Sequence, residues 1–305
     1  MALVECVPNF SEGRDTETIS AIVEAIRSAQ VLLLDVSSDH DHHRTVVTFA
    51  GEPEAVAEGA FRGIREAARR IDLRAHSGEH PRIGAADVVP FIALRDYSPS
   101  QCAALARGVG KRVGDEIGLP VYLYDYAALR EDRQTLPQVR RDRFEVLRET
   151  ILSDPSRQPD YGPAQLGPAG AVAIGAREPL VAFNVFLNTS DLSIAQAIAK
   201  QVRESGGGLP KVRALGLFVN GVAQVSLNIV DFRITGLFAA LEAVRREAVN
   251  FGATVTHTEL VGLIPEEALV QAGLAALQLP DSVADLILER RLGAQTGDYR
   301  PIPFE

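Results

Sequence analysis

The sequence predicts an α+β fold of two tandem βαββαβ units, and three observations carry that reading. Apolar residues change from period 2 to period 3.6 and back in the same order twice along the chain. A stretch rich in Pro, Gly, Asp and Ser, 153–170, separates the two runs. The pair Asn220-Gly221, set between two β-branched segments, marks a hairpin inside the second run.

The elements follow in order. Residues 2–8 alternate and predict a strand. Asp15 can cap a helix over 16–29, with Ile19, Ile22, Val23 and Ile26 on one face. The apolar run 31–36 predicts a buried strand, and the β-branched run 44–50 another. Pro53 suits a helix start, and Val56, Ala60, Phe61, Ile64 and Ala67 give that helix its apolar stripe. Segment 87–94 predicts a strand. Ser98 opens a helix that stops near Gly118, and 121–126 is a strand. A charged helix is expected over 137–152. Segment 153–170 has no apolar period and reads as a linker or a binding loop. In the second half, strands are expected at 181–187, 211–219, 222–230 and 254–260, with helices at 191–204 and 236–250. Helices near 265–276 and 280–291 follow. The order is that of the split βαβ, or ferredoxin-like, unit. The expected subdomains are 1–178 and 179–295, with 296–305 as a tail.

Each such unit covers one sheet face with helices and leaves the other open. Two open faces can be buried against each other or can enclose a ligand. Gln224, Ser226 and Asn228 share one strand face, and Asn184 and Asn188 share one on theirs. Amides on a face predict either a polar cleft or a solvated surface.

Composition narrows the function classes. The chain has 305 residues, 46% hydrophobic and 23% charged, as in an ordinary globular protein. A net charge of −9 argues against a nucleic-acid partner. It leaves room for a small anion held by local arginines. Cys6 and Cys102 are too few for a disulfide framework. The N-terminus has no basic leader, and no apolar run is long enough to span a bilayer, so the expectation is a cytoplasmic protein without a membrane partner.

Candidate chemistry concentrates at 76–88. There Gly78, Pro81 and Gly84 keep His76, Glu79, His80 and Arg82 on an irregular loop. Five of the six histidines, His40, His42, His43, His76 and His80, fall in one short stretch of the N-terminal half. His80 is the candidate general acid/base, because an imidazole can take and return a proton near neutrality. Glu79, Asp39 and Asp41 are candidate orienting carboxylates. Arg44 and Arg82 are candidates to hold an anionic substrate. The competing reading is a solvated loop histidine. The spacing His76-x-x-Glu79-His80 also fits an inverted zinc-protease pattern, but that pattern needs a helix, which Gly78 and Pro81 oppose. No metal is expected. There is no dinucleotide fingerprint and no Walker loop.

Several segments together resemble the glutamate formiminotransferase family, over nearly the whole chain and in order. They are Val4-Glu5-Cys6-Val7-Pro8-Asn9-Phe10-Ser11-Glu12-Gly13, Gly78-Glu79-His80-Pro81-Arg82-Ile83-Gly84-Ala85, Val121-Tyr122-Leu123-Tyr124 and Gly175-Ala176-Arg177. Ala182-Phe183-Asn184, Ala223-Gln224-Val225-Ser226-Leu227-Asn228 and Glu259-Leu260-Val261-Gly262-Leu263-Ile264-Pro265 complete the set. The resemblance is to the formiminotransferase part of the bifunctional formiminotransferase-cyclodeaminase, without the cyclodeaminase part.

The resemblance implies two ferredoxin-like subdomains packed sheet to sheet with helices outside, folate in the cleft between them, and a homodimer. It implies transfer of the formimino group from N-formimino-L-glutamate to N5 of tetrahydrofolate, the co-substrate, in histidine breakdown. It places the catalytic histidine at His80 and folate contacts in the loop containing Gly162, Pro163, Gly167, Pro168, Ala169 and Gly170. Asp39, Arg44, Arg82, Arg177, Asn184, Gln224 and Asn228 are the candidate substrate contacts, the arginines gripping glutamate carboxylates. Two departures stand out. His43 occupies the place where the family commonly has asparagine, and the 162–170 loop lacks the aromatic residues some relatives carry. The alternatives are a formyl transferase using N-formylglutamate on the same fold, and a folate-binding protein without turnover.

Overall fold

A computed structural model describes residues 1–40, 42–77, 81–297 and 299. The chain divides into two compact units, Met1–Glu178 and Pro179–Glu305. Both are mixed α and β, each with one sheet.

Unit 1 contains β1 (Leu3–Cys6), β2 (Asn9–Phe10), α1 (Thr16–Arg27), β3 (Leu32–Asp39), β4 (Arg44–Gly51), α2 (Pro53–Arg70) and β5 (Ala86–Arg95). Then come α3 (Pro99–Arg112), which runs into a π turn at Val113–Ile117, β6 (Val121–Asp125), α4 (Leu136–Val139), α5 (Phe144–Thr150) and β7 (Val172–Ala176). β1 and β2 lie in line between β4 and β5, giving the spatial order β3, β4, β1/β2, β5, β7, β6. The first four positions pair antiparallel, whereas β7 joins β5 and β6 in parallel.

Helix signals in the sequence operate as capping chemistry predicts. Asp15 accepts from the Glu17 N–H, and Ser98 and Gln101 form a capping box. α1, α2 and α3 cover one sheet face, where Phe10, Val47, Phe49, Val89 and Phe91 pack with Ile22, Ile26, Phe61 and Ile64. A second core lies around Val88, Tyr122, Tyr124 and Ala173, under Val139, Leu147 and Ile151. It covers the other face of the β5, β7, β6 half.

Unit 2 contains β8 (Val181–Leu187), α6 (Leu192–Val202), β9 (Val212–Val219), β10 (Val222–Ile229), α7 (Leu237–Asn250), β11 (Val255–Val261), α8 (Glu266–Ala276) and α9 (Leu288–Thr296). The sheet order is β11, β8, β10, β9, antiparallel throughout. Asn220 and Gly221 both take positive φ, 51° and 83°, as a two-residue type I′ hairpin requires.

Four expectations need correction. Segment 31–36 is not a buried strand. β3 pairs with β4 alone, with a register shift between Leu33 and Asp35, and its alternating residues Leu32, Leu34 and Val36 are exposed. The helix expected over 137–152 is two helices broken at 140–143. There Arg140 reaches out to the Pro81 carbonyl, and the Phe144 N–H donates to the Arg82 carbonyl. Segment 153–170 is not a linker, because its backbone is tied into unit 1 at Val121, Leu73 and Ala85. The last expected helix, 280–291, is a 3-10 turn at Asp281–Leu286 followed by α9. β7, for which the sequence offered no expectation, sits between β5 and β6.

Candidate active site

Segment 11–15, the turn between β3 and β4, the stems of the 76–82 loop, the 167–171 segment and the break between α4 and α5 converge in unit 1. Their approach depends on glycine. A Cβ on Gly13 would lie 2.2 Å from the Asp39 carbonyl oxygen, and one on Gly84 would lie 1.6 Å from that of Ala171.

His80, Glu79 and Asp41 lie outside the described residues, so the site is built from what flanks them. On one side, His43 Nδ1 is 2.9 Å from the Ser77 carbonyl oxygen and its Nε2 is 3.0 Å from Glu12 Oε1. Both partners are hydrogen-bond acceptors. His76 Nε2 donates to the His43 carbonyl at 3.2 Å, and the two imidazoles stack at 4.1 Å with 9° between planes. His76 Nδ1 is buried without a partner. Burial, with His43 and Arg82 nearby, holds the His76 pKa below its ordinary value and favours the neutral ring.

On the other side, buried Arg82 donates through Nη2 to the His76 carbonyl (2.9 Å) and to Glu145 (2.8 Å). Arg140 Nη2 donates to the Pro81 carbonyl at 2.6 Å and lies 3.4 Å from Asp87. Arg82 therefore ties the two stems of the loop directly, across 78–80.

Glu12 anchors this arrangement to α1. Its Oε1 accepts from the N–H groups of Gly13, Arg14 and Asp15 at 3.0, 2.8 and 2.9 Å. Burial pushes the Glu12 carboxyl up, but those backbone donors and His43 outweigh it and the pKa is lowered. Asp87 is fully buried, which pushes its carboxyl up against the pull of Arg140 and the Ile83 N–H. Its Oδ2 and the Nε of half-buried Arg44 have no hydrogen-bond partner. Burial and the charge of Arg140 pull the Arg44 guanidinium down, while Asp39 and Asp87 oppose them. Asp39 accepts from the His42 N–H at 2.7 Å.

The 162–170 loop reaches the same place. Ala85 N–H donates to the Ala169 carbonyl (2.8 Å), Ala171 N–H to that of Ile83 (2.9 Å), and Leu73 N–H to that of Pro168 (2.8 Å). Gly170 takes φ 70°, and a Cβ there would meet the Ile83 carbonyl oxygen at 2.2 Å. Gly167, Pro168, Ala169 and Gly170 thus lie directly against the segment that follows Arg82. Gly162 and Pro163 are set further off, with Gly162 packed on Leu119.

Asp39, Arg44 and Arg82 belong to this cluster. Arg177 lies along the same sheet, its N–H on the Phe91 carbonyl, about 13 Å from Asp87 at four residues of strand rise. It lies near Glu5, whose carboxyl burial raises and Arg177 lowers. Tyr124, buried with its hydroxyl unpartnered, crosses Gly175 on that face. Asn184, Gln224 and Asn228 are in unit 2. Cross-strand register puts them on one face, opposite the α6 and α7 core, and Asn184 Nδ2 donates to Glu259 at 3.0 Å. Gln224 is buried and Asn228 exposed.

Glu12, Asp87, Arg140 and Glu145 carry much of this geometry and were not candidates in the sequence. Arg140 sits in a run of four charged residues that reads as a solvated helix face. Its one sequence signal is that the apolar period fails there. Among the described residues, no group of three or more His, Cys, Asp or Glu side chains is arranged to hold a metal ion. Among the described residues, no helix is long and apolar enough to cross a membrane.

Unit 1 of this α+β chain gathers half-buried imidazoles with carboxylates and guanidinium groups beside glycine-rich segments, groups able to hold a small polar molecule and to exchange a proton with it. Residues 3–177 match the family model for the formiminotransferase domain, N-terminal subdomain, and residues 182–281 match that for the formiminotransferase domain. The chain belongs to the formiminotransferase family. It is 46% identical over 297 residues to the glutamate formimidoyltransferase of Thermoplasma acidophilum, across 96% of this chain and 98% of that one. It is 41% identical to that of Streptococcus pyogenes serotype M1, across 92% and 94%. The formimidoyltransferase-cyclodeaminase of Rattus norvegicus is 45% identical across 88% of this chain, which spans 51% of that longer protein.

Proposed function

We propose that this protein is a glutamate formimidoyltransferase, moving the formimino group of N-formimino-L-glutamate to N5 of tetrahydrofolate. The observation that carries the reading is likeness along the full length to relatives of that name. Tetrahydrofolate supplies the attacking nitrogen, N5. His80 acts as general acid/base, taking the N5 proton and returning one to the departing glutamate amine. Support for its place is the pair of stems held at Ser77 and Pro81, with 167–170 against Ile83 and Ala85. Arg44 and Arg177 are proposed to hold glutamate carboxylates, and Asp39 to orient the amine end. Arg82 contributes its unpartnered Nε edge, since its Nη2 is engaged. Asn184, Gln224 and Asn228 are proposed amide contacts to substrate. The 162–170 loop is proposed to bind folate. The unpartnered Nε of Arg44 and hydroxyl of Tyr124 fit a polar ligand.

Both units are read as ferredoxin-like. The orders β3, β4, β1/β2, β5 and β9, β10, β8, β11 support this, being the same path with the elements in the same succession. The exposed apolar residues of β3 support a homodimer, since edge strands of this kind favour cover. A cytoplasmic location and a role in histidine breakdown complete the reading.

The test is a spectrophotometric turnover assay with tetrahydrofolate and formiminoglutamate or formylglutamate. Wild type should turn over the formimino donor, and His80→Ala should lose about 10²–10⁴-fold in kcat while folate still binds. Turnover of the formyl donor alone would change the substrate and keep the mechanism. No turnover with either, and folate bound normally, would leave a binding protein.

A further inference from the structure

We infer that His43 is a positioning residue for the reaction, acting through the Ser77 carbonyl to hold the stem that precedes His80 in the chain. The inference rests on the proposed function and deepens it. Three contacts point to it. His43 Nδ1 is bonded to Ser77, the last described residue before 78–80. Its Nε2 is bonded to Glu12, which three backbone N–H groups at the start of α1 hold in place. Its carbonyl takes the His76 Nε2–H while its ring stacks on that of His76. One side chain therefore links the turn that leads into α1, Gly13–Asp15, to the loop stem, and Arg82 passes that anchorage to the far stem.

The backbone at His43 shows what the position selects for. Its φ of 50° lies in the left-handed region, where asparagine and glycine are accommodated and most other residues are strained. Asparagine can also place its amide nitrogen where the imidazole Nδ1 stands and donate to Ser77. Glycine suits the conformation and donates nothing from a side chain. Comparing the two separates backbone strain from the hydrogen bond. A reacting group displaced by about 1 Å can cost about 10²-fold in rate, so the effect should fall on kcat.

The experiment compares wild type, His43→Gly and His43→Asn by steady-state kinetics and by hydrogen–deuterium exchange of peptides covering 73–86. His43→Gly should lower kcat by about 10²-fold with KM for the formimino donor unchanged, and should speed exchange in 73–77. His43→Asn should restore most of kcat and the slow exchange. Unchanged exchange in His43→Gly overturns the inference, as does a rise in KM at constant kcat, which would make His43 a substrate contact. Failure of His43→Asn to restore either readout also overturns it. Wild type without turnover refutes the proposed function instead, and the exchange comparison then decides the anchoring role alone.

Discussion

Burial holds the His76 imidazole below its ordinary pKa for reasons visible in its contacts, and this sets a pH dependence. Its Nε2–H is donated to a carbonyl and its Nδ1 is buried with no partner, beside the His43 ring and Arg82. The folded pKa lies below the ordinary 6.5, so the unfolded chain binds the proton more readily. The contribution of His76 to stability is complete above that value. It is lost as pH falls from there through the folded pKa. His76→Phe keeps a flat ring against His43, gives up one hydrogen bond at about 1 kcal/mol, and removes the titration. The drop in Tm between about pH 7.5 and pH 5.5 should therefore be smaller in His76→Phe than in wild type. An equal drop in the two proteins would assign the acid sensitivity elsewhere, and not to Glu12, whose lowered carboxyl loses its stabilisation only below its ordinary value of 4.5, outside that window.

The contact between 83–85 and 169–171 is the element-scale feature that joins the histidine loop to the glycine-rich loop. Gly84 and Gly170 stand opposite each other in it. Gly84→Ala and Gly170→Ala should each destabilise by about 1–3 kcal/mol in urea titrations, because each Cβ would strike a carbonyl oxygen of the other segment. Their effects should be non-additive, because both open the same contact. Gly167→Ala, with open space at its Cβ and no positive φ, should stay within about 0.5 kcal/mol. Full additivity of the first pair would mean the two strands yield independently. This contact was not legible in the sequence, because strand pairing between residues about 86 positions apart leaves no local period. What was legible is what local physics decides. Asp15, Ser98 and Pro53 marked helix starts, Asn220-Gly221 marked a hairpin, alternation marked β1 and β10, and β-branched residues marked β4. β3 misled because an apolar run shows β propensity and not whether a second neighbour will pair with it. β7 escaped notice because Val-Ala-Ile-Gly-Ala is short and weak in β-branched residues. Arg140 and Glu145 were missed for the related reason that a charge acquires a role only through long-range partners.

At the scale of the molecule, each unit has its own core and its own sheet. Unit 1 packs three helices on one face and two short ones on part of the other, and unit 2 buries Val185, Val225, Leu227, Ile198 and Val244. Units of 178 and 127 residues are large enough to fold alone. Fragments 1–178 and 179–305 should therefore each unfold cooperatively, with sigmoidal urea transitions. The histidine loop, Glu12, Arg44 and the 162–170 loop are all in unit 1, whereas the proposed amide contacts are in unit 2. Fragment 1–178 should consequently keep the anchored stem, seen as slow exchange in 73–77, yet show no turnover of the formimino donor. Turnover by 1–178 at the full-chain rate would remove Asn184, Gln224 and Asn228 from the site. If instead turnover is absent in each fragment while the full-chain variants Asn184→Ala and Gln224→Ala show raised KM with kcat retained, unit 2 supplies binding and unit 1 the proton chemistry.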